Sequence, residues 1–258
     1  MARMARVKSK TGIYHIIWRG ANRQEIFHDD EDWMKFLDSL KKYKAKYGLI
    51  VYAWCLMGNH VHLLIKEGNE DISITMKRIG VSYVMYYHWK YRTTGHLFQG
   101  RFKSENVEND GYLKKVVRYI HQNPVKAGMV NHADEWKWSS CLGYYGGNSH
   151  PKGMLDCDFI LRMFSVESTL AIDSFKEFNE MKNDDKCLSY RVNRRRLSDE
   201  EARHEIKKLL GSIEIAQVKS LPKIKRDELL RKVKEIDGLT LRQAARILGV
   251  SLSLLFKA

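Results

Sequence analysis

Along residues 12–124 the apolar positions switch repeatedly between a period of two and a period near 3.6, and each switch marks an element. The stretch GIYHIIWRG, 12–20, is β-branched and aromatic between glycines and reads as a strand. DDEDWMKFLDSLKKYKAKYG, 29–48, opens on acids, spaces Trp33, Phe36, Leu37 and Leu40 helically and closes on Gly48, so it reads as a helix. LIVYAWCLM, 49–57, reads as a buried strand. Gly58-Asn59 then supplies turn chemistry, and HVHLLIKE, 60–67, returns as its hairpin partner. A long helix is expected over 71–92 and a strand carrying basic residues over 96–107. A last helix is expected over 110–124, capped by Asp110 and ended at Pro124.

The order strand, helix, strand, strand, helix, strand is that of a split β-α-β unit. The expected fold class is therefore α+β: a ferredoxin-like, four-stranded antiparallel sheet with helices on one face, followed by a C-terminal helical extension. The other sheet face is expected to stand free for a substrate. His60 and His62 point there, because alternate strand residues share a face and Val61, Leu63 and Ile65 take the core side. Two adjacent imidazoles pack poorly but ligate metals well.

On the 110–124 helix, Leu113, Val116, Val117 and Ile120 form the core stripe. Tyr119 lies off the centre of that stripe, and Asn123 stands one turn beyond it on the same side. A phenol and a carboxamide are thus presented together near a helix end. His121 faces away from them and reads as a surface histidine.

Composition narrows the class of partner. Lys and Arg outnumber Asp and Glu by 45 to 31, a net charge of +14, which favours a polyanion, most simply nucleic acid. Aromatic residues make up 11% of the chain, so flat surfaces for stacking bases are plentiful. The four cysteines, Cys55, Cys141, Cys157 and Cys187, show no C-x-x-C pairing, which argues against a zinc ribbon or a disulfide framework. No apolar run is long enough for a bilayer, so no membrane partner is expected and the protein reads as cytoplasmic.

Beyond about residue 146 the pattern changes. Residues 1–148 read as the main domain and 149–190 as a helical connecting region. Residues 191–258 read as a basic helical region. Its last stretch, LTLRQAARILGVSLSLLFKA, 239–258, has the pattern of a helix-turn-helix turning at Gly249-Val250.

Four segments, GNHVHLLI, GHLFQGRFKS, YLKKVVRYIHQNPVKAGMV and WKWSSCLGYY, occur in that order between Gly12 and Tyr145. Together they resemble the single-tyrosine HUH transposases of bacterial insertion sequences, most closely the REP-associated tyrosine transposases. The resemblance implies that His60 and His62 are metal ligands, that Asn123 is the polar third ligand, and that Tyr119 is the nucleophile. The implied cofactor is a divalent ion, Mg2+ or Mn2+. The implied reaction is cleavage and transfer of single-stranded DNA through a 5′-phosphotyrosine link, usually beside a hairpin. Arg19, Arg23, Lys77, Arg78, Arg101 and Lys103, with Lys90, are the candidates for holding that DNA as a set on one face. Trp18, Phe98 and Phe102 are the candidates for stacking bases.

The basic C-terminal region suggests an additional contact with duplex DNA. The resemblance admits a monomer, or a homodimer that exchanges the tyrosine helix, and nucleoid association in the cytoplasm. Two other classes compete with it. A non-catalytic DNA-binding regulator would have no need of the His-Tyr-Asn constellation, and a metallohydrolase using water would have no use for Tyr119.

Overall fold

Strand β1 (Ile13–Arg19) is apolar at nearly every position rather than at alternate ones, a pattern that belongs to a strand covered on both sides. The computed structural model describes residues 6–189, 197–236 and 238–257. It divides into two compact units, Met1–Leu188 and Ser189–Ala258. In the first, β2 (Ile50–Met57), β3 (His60–Lys66) and β4 (Lys103–Asn106) join β1 in the order β2-β3-β1-β4. Every neighbouring pair is antiparallel, which is the expected split β-α-β topology.

Helix α1 (Asp30–Tyr47) starts where the Asp29 side chain accepts from the backbone N–H of Asp32, and ends at Gly48 with φ 70°. Helix α2 (Ile72–Tyr91) packs beside it. Both lie on the sheet face made by Tyr14, Ile16, Trp18, Trp54, Leu56, Val61, Leu63 and Ile65. Gly80 sets the depth of α2, because a Cβ there would lie 1.8 Å from the Trp18 ring. Buried Asp32 ties the two helices together by accepting from Lys90, Tyr86 and Tyr91.

The opposite face is not free. Helix α3 (Asp110–Lys126) lays Leu113, Val116, Val117 and Ile120 across Ile13, Ala53, Cys55, Met57 and Leu64. Burying each of those four side chains contributes roughly 1.5–3 kcal/mol. The sheet is apolar on both faces, so leaving one open would expose it to water. The α3 cap is Asn109 rather than Asp110; its side chain accepts from the Tyr112 N–H at 2.8 Å. Nor does Pro124 end the helix. It lies in the last turn, where its missing N–H removes one bond, and the turn still closes through Ala127 N–H to Asn123 O.

Of the expected 96–107 strand, residues 103–106 form a ladder with β1, and Gln99 and Val107 each add one backbone bond to it. Leu97, Phe98 and Phe102 all bury on the α2 side, which a strand's alternation forbids, and Gly100 turns the chain at φ 68°. Residues 149–188 pack within this unit. Short helices α4 (Cys141–Tyr144) and α5 (Asp158–Leu161), with α6 (Ser168–Glu180), bring Tyr144, Ile160 and Phe175 against the core beneath α3. His121 is not at the surface. It is fully buried between Tyr144 and Phe175, hydrogen-bonded through Nε2 to Ser140 Oγ at 2.8 Å.

The second unit holds α7 (Asp199–Leu210), α8 (Lys223–Lys234), α9 (Leu241–Leu248) and α10 (Leu252–Lys257) around a core of Ile206, Leu210, Leu230, Val233, Ile247 and Leu255. Thr240 caps α9, and Gly249 at φ 64° separates it from α10. The basic run at 193–196 lies outside the described residues. No described helix is long and apolar enough to cross a membrane.

A candidate histidine–tyrosine site

Strand alternation places Val61 in the α1/α2 core and turns His60 and His62 toward α3. The register puts Arg19 directly across from His60, and Ile17 across from His62. The two imidazoles stand 5.1 Å apart between ring centroids. From α3, the ring of half-buried Tyr119 meets His62 edge-on at 5.7 Å. It also meets His15, on β1, edge-on at 5.8 Å. Asn123 follows one turn later, its Nδ2 donating to the Tyr119 carbonyl at 2.7 Å. The donor end of that amide is thus committed to the helix, and its oxygen is the end that remains for a ligand.

Hydrogen bonds decide which nitrogens the histidines present. Asn59 Nδ2 donates to the Arg23 carbonyl, which turns Asn59 Oδ1 toward His60 Nδ1, 2.6 Å away. An amide oxygen only accepts, so His60 carries its proton on Nδ1 and keeps a lone pair on Nε2. His62 Nδ1 faces His15 Nε2 at 3.2 Å, so Nε2 is again the nitrogen left over.

Burial keeps these rings neutral. It pushes the His60 pKa down to about 4, helped by the nearby Arg19 charge. Burial, then His60, His15 and Arg19, holds His62 well below its ordinary value. Burial alone takes His15 to about 3. Neutral imidazoles are what a cation requires. Among the described residues no three His, Cys, Asp or Glu side chains converge to hold a metal. Any divalent ion held here would have to draw on the two imidazoles and an amide oxygen such as that of Asn123 rather than on a described carboxylate cluster.

Two contributors escaped the sequence reading. Asn59 read only as a turn residue. His15 was lost inside an apolar strand, although a histidine two positions from Ile17, on a strand expected to neighbour the His-x-His strand, was a usable signal.

The basic candidates do not form one set. Arg19 and Lys103 lie on the histidine face, Lys103 in the cross-strand row Lys103–Ile17–His62. Arg23 is exposed at the turn after β1. Lys77 and Arg101 lie on the other side of the sheet, lining a groove of about 770 Å³ beside α2. Arg78 is held by Glu70 at 3.1 Å, and Lys90 by Asp29, Glu31 and Asp32. The split follows from strand alternation and from α2 covering only one face. Trp18 and Phe98 stack on each other at 4.0 Å, and both are buried with Phe102.

Residues 8–123, which contain all four of His60, His62, Tyr119 and Asn123, match the family model described as IS200-like transposase. An Escherichia coli REP-associated tyrosine transposase is 27% identical over 92 residues, covering 35% of this chain and 53% of the relative. A Haemophilus influenzae protein provisionally named as a REP-associated tyrosine transposase is 26% identical over 118 residues, covering 41% of this chain and 66% of the relative. The chain thus spans just under two thirds of one relative's length and about half of the other's. A solved structure described as a REP-associated tyrosine transposase bound to a REP hairpin shares the fold. Its TM-score is 0.50 at 21% identity, covering 61% of this chain and 90% of that one.

Proposed function

We propose, from the match of residues 8–123 to the IS200-like transposase family model, that this chain cleaves and rejoins single-stranded DNA through Tyr119. The observation that carries this reading is the edge-on contact of Tyr119 with His62, one of two histidines whose spare nitrogens are kept neutral. A non-catalytic binder has no use for a tyrosine set against two such histidines.

His60, His62 and Asn123 would hold Mg2+ or Mn2+. When bound, the ion offsets charge on a nonbridging phosphate oxygen, the main obstacle to attack on a phosphodiester. Tyr119 Oη then bonds to phosphorus as the P–O3′ bond breaks, leaving a 5′-phosphotyrosine and a free 3′-OH. Attack by a 3′-OH reverses the step, returns the tyrosine and needs no ATP. Arg19 and Lys103, on the same face, neutralise flanking phosphates. The contact of Tyr119 with His62 within one chain supports a tyrosine acting in cis, for which a monomer suffices. The substrate is a strand flanking a hairpin, and the α9–α10 pair adds a contact to duplex DNA, which Arg242→Ala should weaken.

Denaturing electrophoresis tests the reading. Single-stranded hairpin oligonucleotides are incubated with the protein and Mg2+, Mn2+ or EDTA. A metal-dependent protein–DNA adduct that disappears in Tyr119→Phe is expected. Cleavage with no adduct would make the protein a hydrolase, and tight binding with no cleavage would make it a regulator.

A further inference from the structure

We infer that His15 is a positioning residue that orients His62 and accepts its Nδ1 proton when His62 Nε2 binds a metal ion. The inference rests on the reading of His60 and His62 as ligands, and it concerns a residue outside that ligand set. His15 sits on β1 with its side chain wholly buried, two rows of the sheet from Arg19. Its Nε2 lies 3.2 Å from His62 Nδ1, and the two rings stack at 5.5 Å between centroids.

One proton is shared across that 3.2 Å contact, and it can sit in two ways. If His15 Nε2 carries it, His62 accepts at Nδ1 and is protonated at Nε2, with no lone pair for a cation. If His62 Nδ1 carries it, His15 accepts, and His62 Nε2 is bare. His15 Nδ1 is a buried atom without a hydrogen-bond partner, so it is unsatisfied in either arrangement and does not choose between them. Ligation at Nε2 chooses the second.

The neighbouring histidine is built to the same plan. Asn59 Oδ1 accepts from His60 Nδ1, itself oriented by the bond from Asn59 Nδ2 to Arg23 O. Each ligand therefore has a dedicated acceptor behind it, an amide for His60 and an imidazole for His62, which is how ligating histidines are commonly oriented. An apolar residue at position 15 would fill the space and leave His62 Nδ1–H buried and unpaired. His62 would then relieve that cost by rotating, or by moving its proton to Nε2.

The test is Mn2+ binding to the full chain without DNA, by titration calorimetry, in wild type, His15→Phe, His15→Gln and His62→Ala. Thermal unfolding of each metal-free protein runs alongside. Long-range 15N–1H spectra of the wild type loaded with diamagnetic Mg2+ report the histidine tautomers once His62 is ligated. His15→Phe is expected to bind about 10–100-fold more weakly. His15→Gln, whose side-chain oxygen can accept, should recover most of that loss, and the spectra should show His62 protonated at Nδ1. Undiminished binding by His15→Phe overturns the inference, as does a Gln variant no better than Phe, or His62 protonated at Nε2. If the Phe variant does not fold, the Gln variant and the spectra decide. Wild-type binding that is absent, or unaffected by His62→Ala, overturns the metal reading and the inference with it. Loss confined to His15→Phe stability overturns the inference alone.

Discussion

The phenol ring of Tyr119 stands edge-on to the imidazole of His62, 5.7 Å between centroids, although the two residues come from a helix and a strand on opposite sides of a packed interface. Leu113, Val116, Val117 and Ile120 hold α3 against β2 and β3, so the apolar stripe of one helix sets the distance between Tyr119 and His62. The spacing of these two rings and the packing of the core are here one interaction.

From that relationship, Tyr119→Phe should abolish the covalent adduct and lower strand cleavage at least about 10³-fold, while DNA binding measured by gel shift is retained. Mixing Tyr119→Phe with His62→Ala should restore nothing, because each chain lacks half of its own site. Recovered cleavage in the mixture would mean that the tyrosine is supplied by a second copy.

Asn123→Leu should weaken Mn2+ binding and slow cleavage, yet leave the urea midpoint nearly unchanged. Among the described residues its Nδ2 bonds to a carbonyl within its own helix, a contact worth about 1 kcal/mol or less. A large stability loss with unchanged metal affinity would show that the amide serves the helix and not a cation.

The basic residues should separate by face. Arg19→Ala and Lys103→Ala should each reduce single-strand affinity and flatten its salt dependence by about one phosphate's worth, roughly 0.7 in the log–log slope. Arg78→Ala, whose guanidinium is engaged with Glu70, should leave that slope unchanged. Equal effects from all three would mean that DNA wraps both sides of the sheet.

Buried His121 makes a prediction about acid. Its ordinary value is near 6.5, and burial lowers it to about 3 in the folded chain. Between those values the unfolded chain binds the proton and the folded chain does not. Stability is therefore full above about pH 6.5 and falls as pH drops toward 3, by up to ~1.4 kcal/mol per pH unit from this residue. His121→Gln should flatten that part of the profile in urea melts from pH 7 to 4. An unaltered slope would place the acid sensitivity elsewhere.

Gly80→Ala should destabilise the first unit by about 1–3 kcal/mol or more, since its Cβ would have to displace the Trp18 ring. Trp18→Leu in the same background should recover part of the loss if that contact is the cause.

Much of this molecule can be read from local pattern. β1, α1, β2, β3 and α2 lie within a residue or two of where period and caps place them, because each is specified by neighbours along the chain: Asp29 and Gly48 bound α1, and Gly58-Asn59 turns the hairpin. The shared face of His60 and His62 is equally local, a consequence of two-residue alternation. The stop expected at Pro124 failed because a proline in a last turn costs only one bond, and packing of α3 outweighs it. The 96–107 strand failed because Leu97, Phe98 and Phe102 bury together against α2, a tertiary demand that no local period encodes.

The sequence by itself determined the strand order's raw material, the histidine pair, and a tyrosine and asparagine one turn apart on a helix. Only the tertiary structure decided that α3 crosses the face expected to be open, that His15 stands behind His62, that His121 is buried, and that the basic residues divide between two sides of the sheet. Strand and helix periods say which side chains share a face. They do not say which surface each face will meet, because that is settled by apolar area that must leave water and by partners tens of residues away.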